Sequence, residues 1–435
     1  HTTVTTLTWT MVGPLLAYGL AAPVFGKAGD VFGHRRLYLI GLVGAMVSAV
    51  LTATAASVGM LLLARTLDGV QGAMTGTASG ALINLAFAPE ERVKAMGWWS
   101  LVGAGGPVIG VSLGSPVIAA FGWRALFWLQ LGLLVAALAV VAVLVPRPSG
   151  ERPARRPGTM DWAGSGALSV GVTALMLALS IGPSLGWAAP GTLVAFVASA
   201  VMVALFAWRT RVAAHPFIPA HYFTRRNFVT PMVLRACGNF AYFGAFFLFP
   251  LLMEQGYGYS IPRVGALAVA RPITFALCSP IAGYVAIRVG ERVSSIAGAA
   301  ALTGSLALFA LLTPASGVWV IAVALALSGL GMGVIGPSSS SVMANEVESG
   351  EFGVIAAAQL LAMQVGEVAG IEVLETVRQA LVRSRHLGHA GPGASLLSTF
   401  RTPFALGAAV AGAGLVASLF VRSVPRPSRR ASRAR

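Results

Sequence analysis

The chain has 435 residues, 56% of them hydrophobic and 10% charged, and its mean hydropathy is +0.80. Soluble domains carry about a quarter of their residues as charges, so a soluble enzyme or binding module is excluded and an all-α polytopic membrane protein, with the lipid bilayer as its surroundings, is expected. The net charge of +16 lies in short segments between apolar runs, which argues against a nucleic-acid partner and encodes topology instead.

Thirteen apolar stretches reach membrane-spanning length. They are 8–25, 37–56, 59–85, 95–120, 124–145, 162–181, 190–208, 229–252, 263–287, 294–313, 317–341, 353–377 and 402–422. If the first connection is cytoplasmic, alternation puts 26–36, 86–94, 146–161, 209–228, 288–293, 342–352 and 423–435 inside. With Arg422 counted in the last, these segments hold 21 of the 30 Lys and Arg. The C-terminus is then cytoplasmic and His1 is outside, so a first span is expected to be missing and the full set to number fourteen. Cys237 and Cys278 fall within apolar runs, where neither a disulfide framework nor a metal site is expected.

The first connection, Gly26 to Arg36, reads GKAGDVFGHRR. Gly26 and Gly33 would let helix ends approach closely. Asp30 is placed to cap a helix N-terminus and meet its partial positive charge. Lys27, Arg35 and Arg36 would hold the segment inside. Residues 283–292, GYVAIRVGER, repeat the two-glycine frame at an offset of 257, with Ile287 where Asp30 stands. That is the mark of two related halves. The spacing of Gly26, Asp30, Gly33, Arg35 and Arg36 resembles the signature loop between the second and third spans of the major facilitator superfamily. Val31 and His34 occupy positions where that family places basic residues.

In LLLARTLDGVQGAMTG (61–76) Arg65 and Asp68 are three apart on one helix face and can pair. The stretch resembles the family's fourth-span motif, although an acid at Asp68 departs from it. Asp68 has two readings, a proton or substrate group or a structural pair with Arg65. In GAGGPVIGVSLG (103–114) the glycines at 106, 110 and 114 form a bare face suited to close helix packing. Pro107 is expected to bend that span. Gly106-Pro107-x-x-Gly110 resembles the antiporter motif of family exporters, with Val102 and Val111 replacing two of its glycines. The segment 122–127, GWRALF, resembles the entry to the sixth span of fourteen-span drug:proton antiporters, and Asp161-Trp162, Pro250 and 258–260 are similar to that subfamily as well. Gly331, Gly333 and Gly336 spell a dinucleotide fingerprint but lie in an apolar run without a preceding strand, so packing glycines are expected. His386 and His389 have metal-like spacing without a nearby acid or thiol, which favours a solvated connection.

Glu367 lies near the middle of the span 353–377, with Glu372 and Glu375 following. An acid at that depth can cycle between protonated and ionised forms, as proton coupling requires. The alternative is a salt bridge with Arg235 or Arg271. Arg235 and Asn239, four apart, share a face of the span 229–252, and Arg271 precedes Pro272.

The resemblance implies the major facilitator fold, with two six-helix bundles and two extra central helices. Its expected parts are an N-terminal bundle at 1–145, a cytoplasmic linker at 146–161, the extra spans at 162–208, a cytoplasmic loop at 209–228, a C-terminal bundle at 229–422 and a basic tail at 423–435. It implies a monomeric, proton-coupled antiporter in the bacterial plasma membrane. Small lipophilic or drug-like molecules would be its substrates and protons its co-substrate, without cofactor, metal or enzymatic chemistry. Asp68, Glu367, Glu372, Arg65, Arg235, Asn239 and Arg271 are the candidate coupling or cavity residues. Gly26, Asp30, Gly33, Arg35 and Arg36 form the conformational loop, and Gly106, Pro107 and Gly110 the antiporter-type helix. An exporter or importer of a specific metabolite or antibiotic, and a non-transporting receptor or inactive relic, stay open as alternatives.

Overall fold

A computed structural model describes residues 4–145, 161–387 and 393–423. The expected linker at 146–160, the tail from 424 and His389 lie outside the described residues. Long apolar runs leave backbone groups no partner but one another, and in hydrocarbon a helix satisfies them within a single segment. Among the described residues every regular element is accordingly helical.

The helices are α1 (Val4–Phe32), α2 (His34–Ala53), α3 (Val58–Ala86), α4 (Arg92–Phe121), α5 (Arg124–Leu144), α6 (Trp162–Leu185) and α7 (Pro190–Val212). They continue as α8 (Arg226–Leu251), α9 (Ile261–Ala268), α10 (Ala270–Val289), α11 (Glu291–Ala310), α12 (Val318–Asn345), α13 (Phe352–Ser384) and α14 (Ala394–Ser418). Each expected span coincides with one of them, except that 263–287 is divided between α9 and α10 at Val269. Ten candidate spans are long and apolar enough to cross a membrane, with α9 and α10 counted together.

The chain forms two compact units. The first comprises His1–Ala86, Gly106–Tyr222 and Glu348–Glu372. In it α3 packs on α1 and α2, α6 packs on α7 and α1, and α5 packs on α2. Its core gathers Ala22, Ala73, Met176, Leu179 and Leu361. No residue of α5 is buried, although its mean hydropathy is 2.5; in a bilayer such a helix meets lipid at no hydrophobic cost. The second unit comprises Phe87–Gly105, Phe223–Val347 and Val373–Arg435. There α12 packs on α8, α10 and α11, and α14 on α8 and α11. Phe309 stacks on Phe404 at 5.0 Å and meets Phe249 edge-on at 6.2 Å within the core.

The segment 26–36 is not an open loop, as the sequence reading had it. α1 continues through Phe32 and α2 begins at His34, so the chain turns on Gly33 alone, with φ 96° and ψ 127°. That backbone region is open to glycine and strained for other residues. Gly290 does the same between α10 and α11, with φ 95° and ψ 148°. The hydrogen bonds also repeat. The Gly33 and Leu37 amides donate to Gly29 and Gly33, and the Gly290 and Ser294 amides donate to Ala286 and Gly290. The repeat at offset 257 is therefore carried by backbone geometry.

Candidate functional site

Two groups of buried polar residues stand out, one in each unit. In the first, Asp30 lies on the last turn of α1 with its carboxylate buried. Oδ1 accepts the Gly353 amide at 2.8 Å and Oδ2 accepts the Val354 amide at 3.1 Å. Those are free N–H groups of the first turn of α13, where an anion also meets the positive end of the helix. Asp30 is thus the cap its position predicted, for a helix that begins 322 residues later in the chain. His34 Nε2 lies 3.1 Å from Asp30 Oδ1, an i,i+4 contact the sequence reading treated only as a departure from the family pattern.

Gly26 makes this approach possible. A Cβ there would stand 2.5 Å from the Gly353 carbonyl oxygen and 2.7 Å from Ala357 Cβ. Gly26 therefore admits the start of α13. Arg35 donates through Nε to the Val145 carbonyl at 2.9 Å and through Nη2 to that of Ala142 at 2.8 Å. A cation so placed satisfies free carbonyls at the end of α5 and complements its dipole. Arg36 is exposed. Beside the α13 start, Tyr222 is buried and hydrogen-bonds Glu351, and its phenol is pushed up from its ordinary pKa by burial first and by that carboxylate next.

On α3, Arg65 and Asp68 form the ion pair that their spacing predicted. The Asp68 carboxylate also accepts from Ser48 at 3.1 Å and Gln71 at 3.0 Å. Its oxygens are committed to α2 and to its own helix. Glu367 is different: it is half-buried on α13 and has no hydrogen bond or ion pair to any described residue. Glu372 has a polar partner. At Gly106 and Gly110 an added Cβ would meet no described atom within 4 Å, whereas at Gly114 it would meet Leu126 of α5 at 3.7 Å. The side chain of Pro107 lies outside the described residues.

In the second unit, Arg235, Asn239 and Tyr242 lie along one face of α8 and are all buried. Arg235 Nη1 donates to the Gly336 carbonyl at 2.9 Å and Asn239 Nδ2 to that of Arg235 at 2.8 Å. Arg271 of α10 is 1% exposed and its guanidinium lies over the Tyr242 ring at 3.8 Å. It donates to the Tyr242 carbonyl.

Several other expected residues have structural roles. Arg378 grips Glu375 with two bonds of 2.8 and 2.6 Å and reaches Gln255 at 3.1 Å. Gly331 abuts the Gly298 carbonyl and Gly333 that of Phe275, at 2.7 and 2.8 Å from an added Cβ, so the glycine triplet of α12 packs helices. Cys237 and Cys278 are unbridged. Sequence reasoning missed the Gly353 amide, Tyr222 with Glu351, and the Ser48 and Gln71 partners of Asp68. A glycine two residues after Glu351 was the available signal for the first of these.

The family model described as Major Facilitator Superfamily matches residues 1–371. The chain is 28% identical over 385 residues to the multidrug resistance protein Stp of Mycobacterium tuberculosis, covering 86% of this chain and 71% of that protein. It is 28% identical over 375 residues to the tetracenomycin C resistance and export protein of Streptomyces glaucescens, covering 86% and 69%. Among solved structures, the human organic anion transporter MFSD10 aligns with a TM-score of 0.68 at 16% identity, over 95% of this chain and 84% of that one. At that identity the likeness speaks to the fold.

Proposed function

The chain belongs to the major facilitator superfamily, and from that premise we propose a proton-coupled exporter of small lipophilic or drug-like molecules that works by alternating access. Membership makes it a multi-pass membrane transporter rather than an enzyme. Relatives named for multidrug resistance and for antibiotic resistance and export support the outward direction. The basic connecting segments support a cytoplasmic C-terminus. We place the protein in the bacterial plasma membrane as a monomer with protons as co-substrate.

The observation that carries proton coupling is Glu367. Asp68 is held by Arg65, Ser48 and Gln71, whereas Glu367 has no fixed partner among the described residues. A carboxyl so placed can take a proton where the pathway meets the proton-rich face and release it at the other. The same helix is capped by Asp30 at Gly353, fourteen residues away, about 20 Å along the axis. Protonation of α13 and release of its capped end therefore act on one rigid element. In this reading Glu367→Gln lowers export at least tenfold, about 1.4 kcal/mol, with membrane abundance unchanged. Wild-type export by that variant across pH would remove the assignment.

A further inference from the structure

We propose that the second unit binds the substrate through Arg271 and that the substrate is an organic anion, a carboxylate or phenolate on a planar body. The inference rests on the exporter reading and adds the charge of what is exported.

Arg271 is nine-tenths and more buried, yet its Nε and Nη1 have no hydrogen-bond partner. No described acid pairs with it. Its satisfied contacts are the Tyr242 carbonyl and the faces of Tyr242 and Phe246, the latter at 5.6 Å. An arginine mid-span costs about 2.5–3.5 kcal/mol on insertion scales, and each donor left unmatched in the interior about 1–3 kcal/mol more. Stacking on an aromatic ring returns about 2 kcal/mol at most. Nothing in the packing requires the charge, because an apolar side chain of similar size would fill the place without that penalty. A group retained against such a cost has a partner that arrives from elsewhere.

The surroundings select the partner. Arg235 and Asn239 lie on the same α8 face as Tyr242 and Phe246, at positions 235, 239, 242 and 246, a spacing that follows one helical stripe. Arg235 adds a second buried cation there, so the stripe repels cationic compounds. Unspent guanidinium donors bind carboxylate or phenolate oxygens by charge-assisted hydrogen bonds. Tyr242 meets Phe275 edge-on at 5.7 Å, and these rings suit a flat body beside the charge.

The test uses purified protein and two xanthene dyes, anionic fluorescein and cationic rhodamine 6G. Binding is read by fluorescence polarisation and by the shift in thermal-unfolding midpoint, with no proton gradient. Failure of binding is thereby separated from failure of transport. Wild type should bind fluorescein and gain thermal stability from it. Arg271→Gln should weaken fluorescein at least tenfold, leave rhodamine 6G binding undiminished and unfold, without ligand, at the wild-type temperature or above. Arg271→Lys keeps the charge, should fold as wild type and should bind fluorescein between the two. Equal weakening of both dyes, unchanged fluorescein binding in Arg271→Gln, or wild type that binds only the cation would overturn the proposal.

Discussion

The turns at Gly33 and Gly290 share one backbone geometry and differ in chemistry. Each ends one helix and begins the next on a single glycine with φ near 95°. Each follows a glycine set against another helix start, Gly26 on Gly353 and Gly283 on the Val93 carbonyl and Lys94. The start of α13 uses a side chain: its Gly353 and Val354 amides are closed by Asp30. The start of α4 closes itself: Glu91 and Arg92 donate to the Ala88 carbonyl, and Lys94 and Ala95 donate to that of Glu91. Ile287, at the position of Asp30, offers no acceptor to that start. One architecture holds a contact made through a carboxylate in one copy and an apolar side chain at the same position in the other.

This contrast can be broken or sharpened by substitution, beginning with the shared geometry. Valine at Gly26 or at Gly283 puts a Cβ 2.5 or 2.8 Å from a carbonyl oxygen that cannot move aside. Either should cost about 3 kcal/mol, read as a lower thermal-unfolding midpoint in detergent. Tolerance at one site alone would show that the two packings are not equivalent. Next, Ile287→Asp replaces a half-buried apolar side chain by a carboxylate and should cost about 1–3 kcal/mol. A stabilised variant would mean that the α4 start does need a cap.

Asp30→Asn retains an acceptor but loses the charge, and should cost about 1–2 kcal/mol. Transport should fall further than membrane insertion, and Ile287→Asp should not rescue it. Unchanged transport would reduce the segment to a topology signal. The smallest effect is expected at Arg35→Gln, about 0.3–1 kcal/mol, since Arg35 sits at the end of α5 on a solvent-facing edge. Its thermal midpoint should stay within a few degrees of wild type.

Much of this was legible in the chain. Spans were visible because a bilayer demands long apolar runs, and the second turn was visible because a φ near 95° favours glycine. The pairing of Arg65 with Asp68 followed from helical spacing. What was hidden involves residues far apart in sequence. No periodicity links Asp30 with Gly353, or Ser48 with Asp68, and a glycine stripe reads the same whether its face is filled, as at Gly331, or open, as at Gly106. The status of Glu367 and Arg271 was also hidden, since a lone charge in an apolar run does not reveal whether a counter-charge comes to meet it.

The central claim is that export is driven by protons through an acid on α13. Its most direct test is dye uptake into inverted membrane vesicles with an imposed acid interior. The account predicts accumulation that collapses when the pH gradient is dissipated and that Glu367→Gln abolishes at normal protein levels. Accumulation that persists without a gradient, or a Glu367→Gln variant that still follows it, would contradict the account.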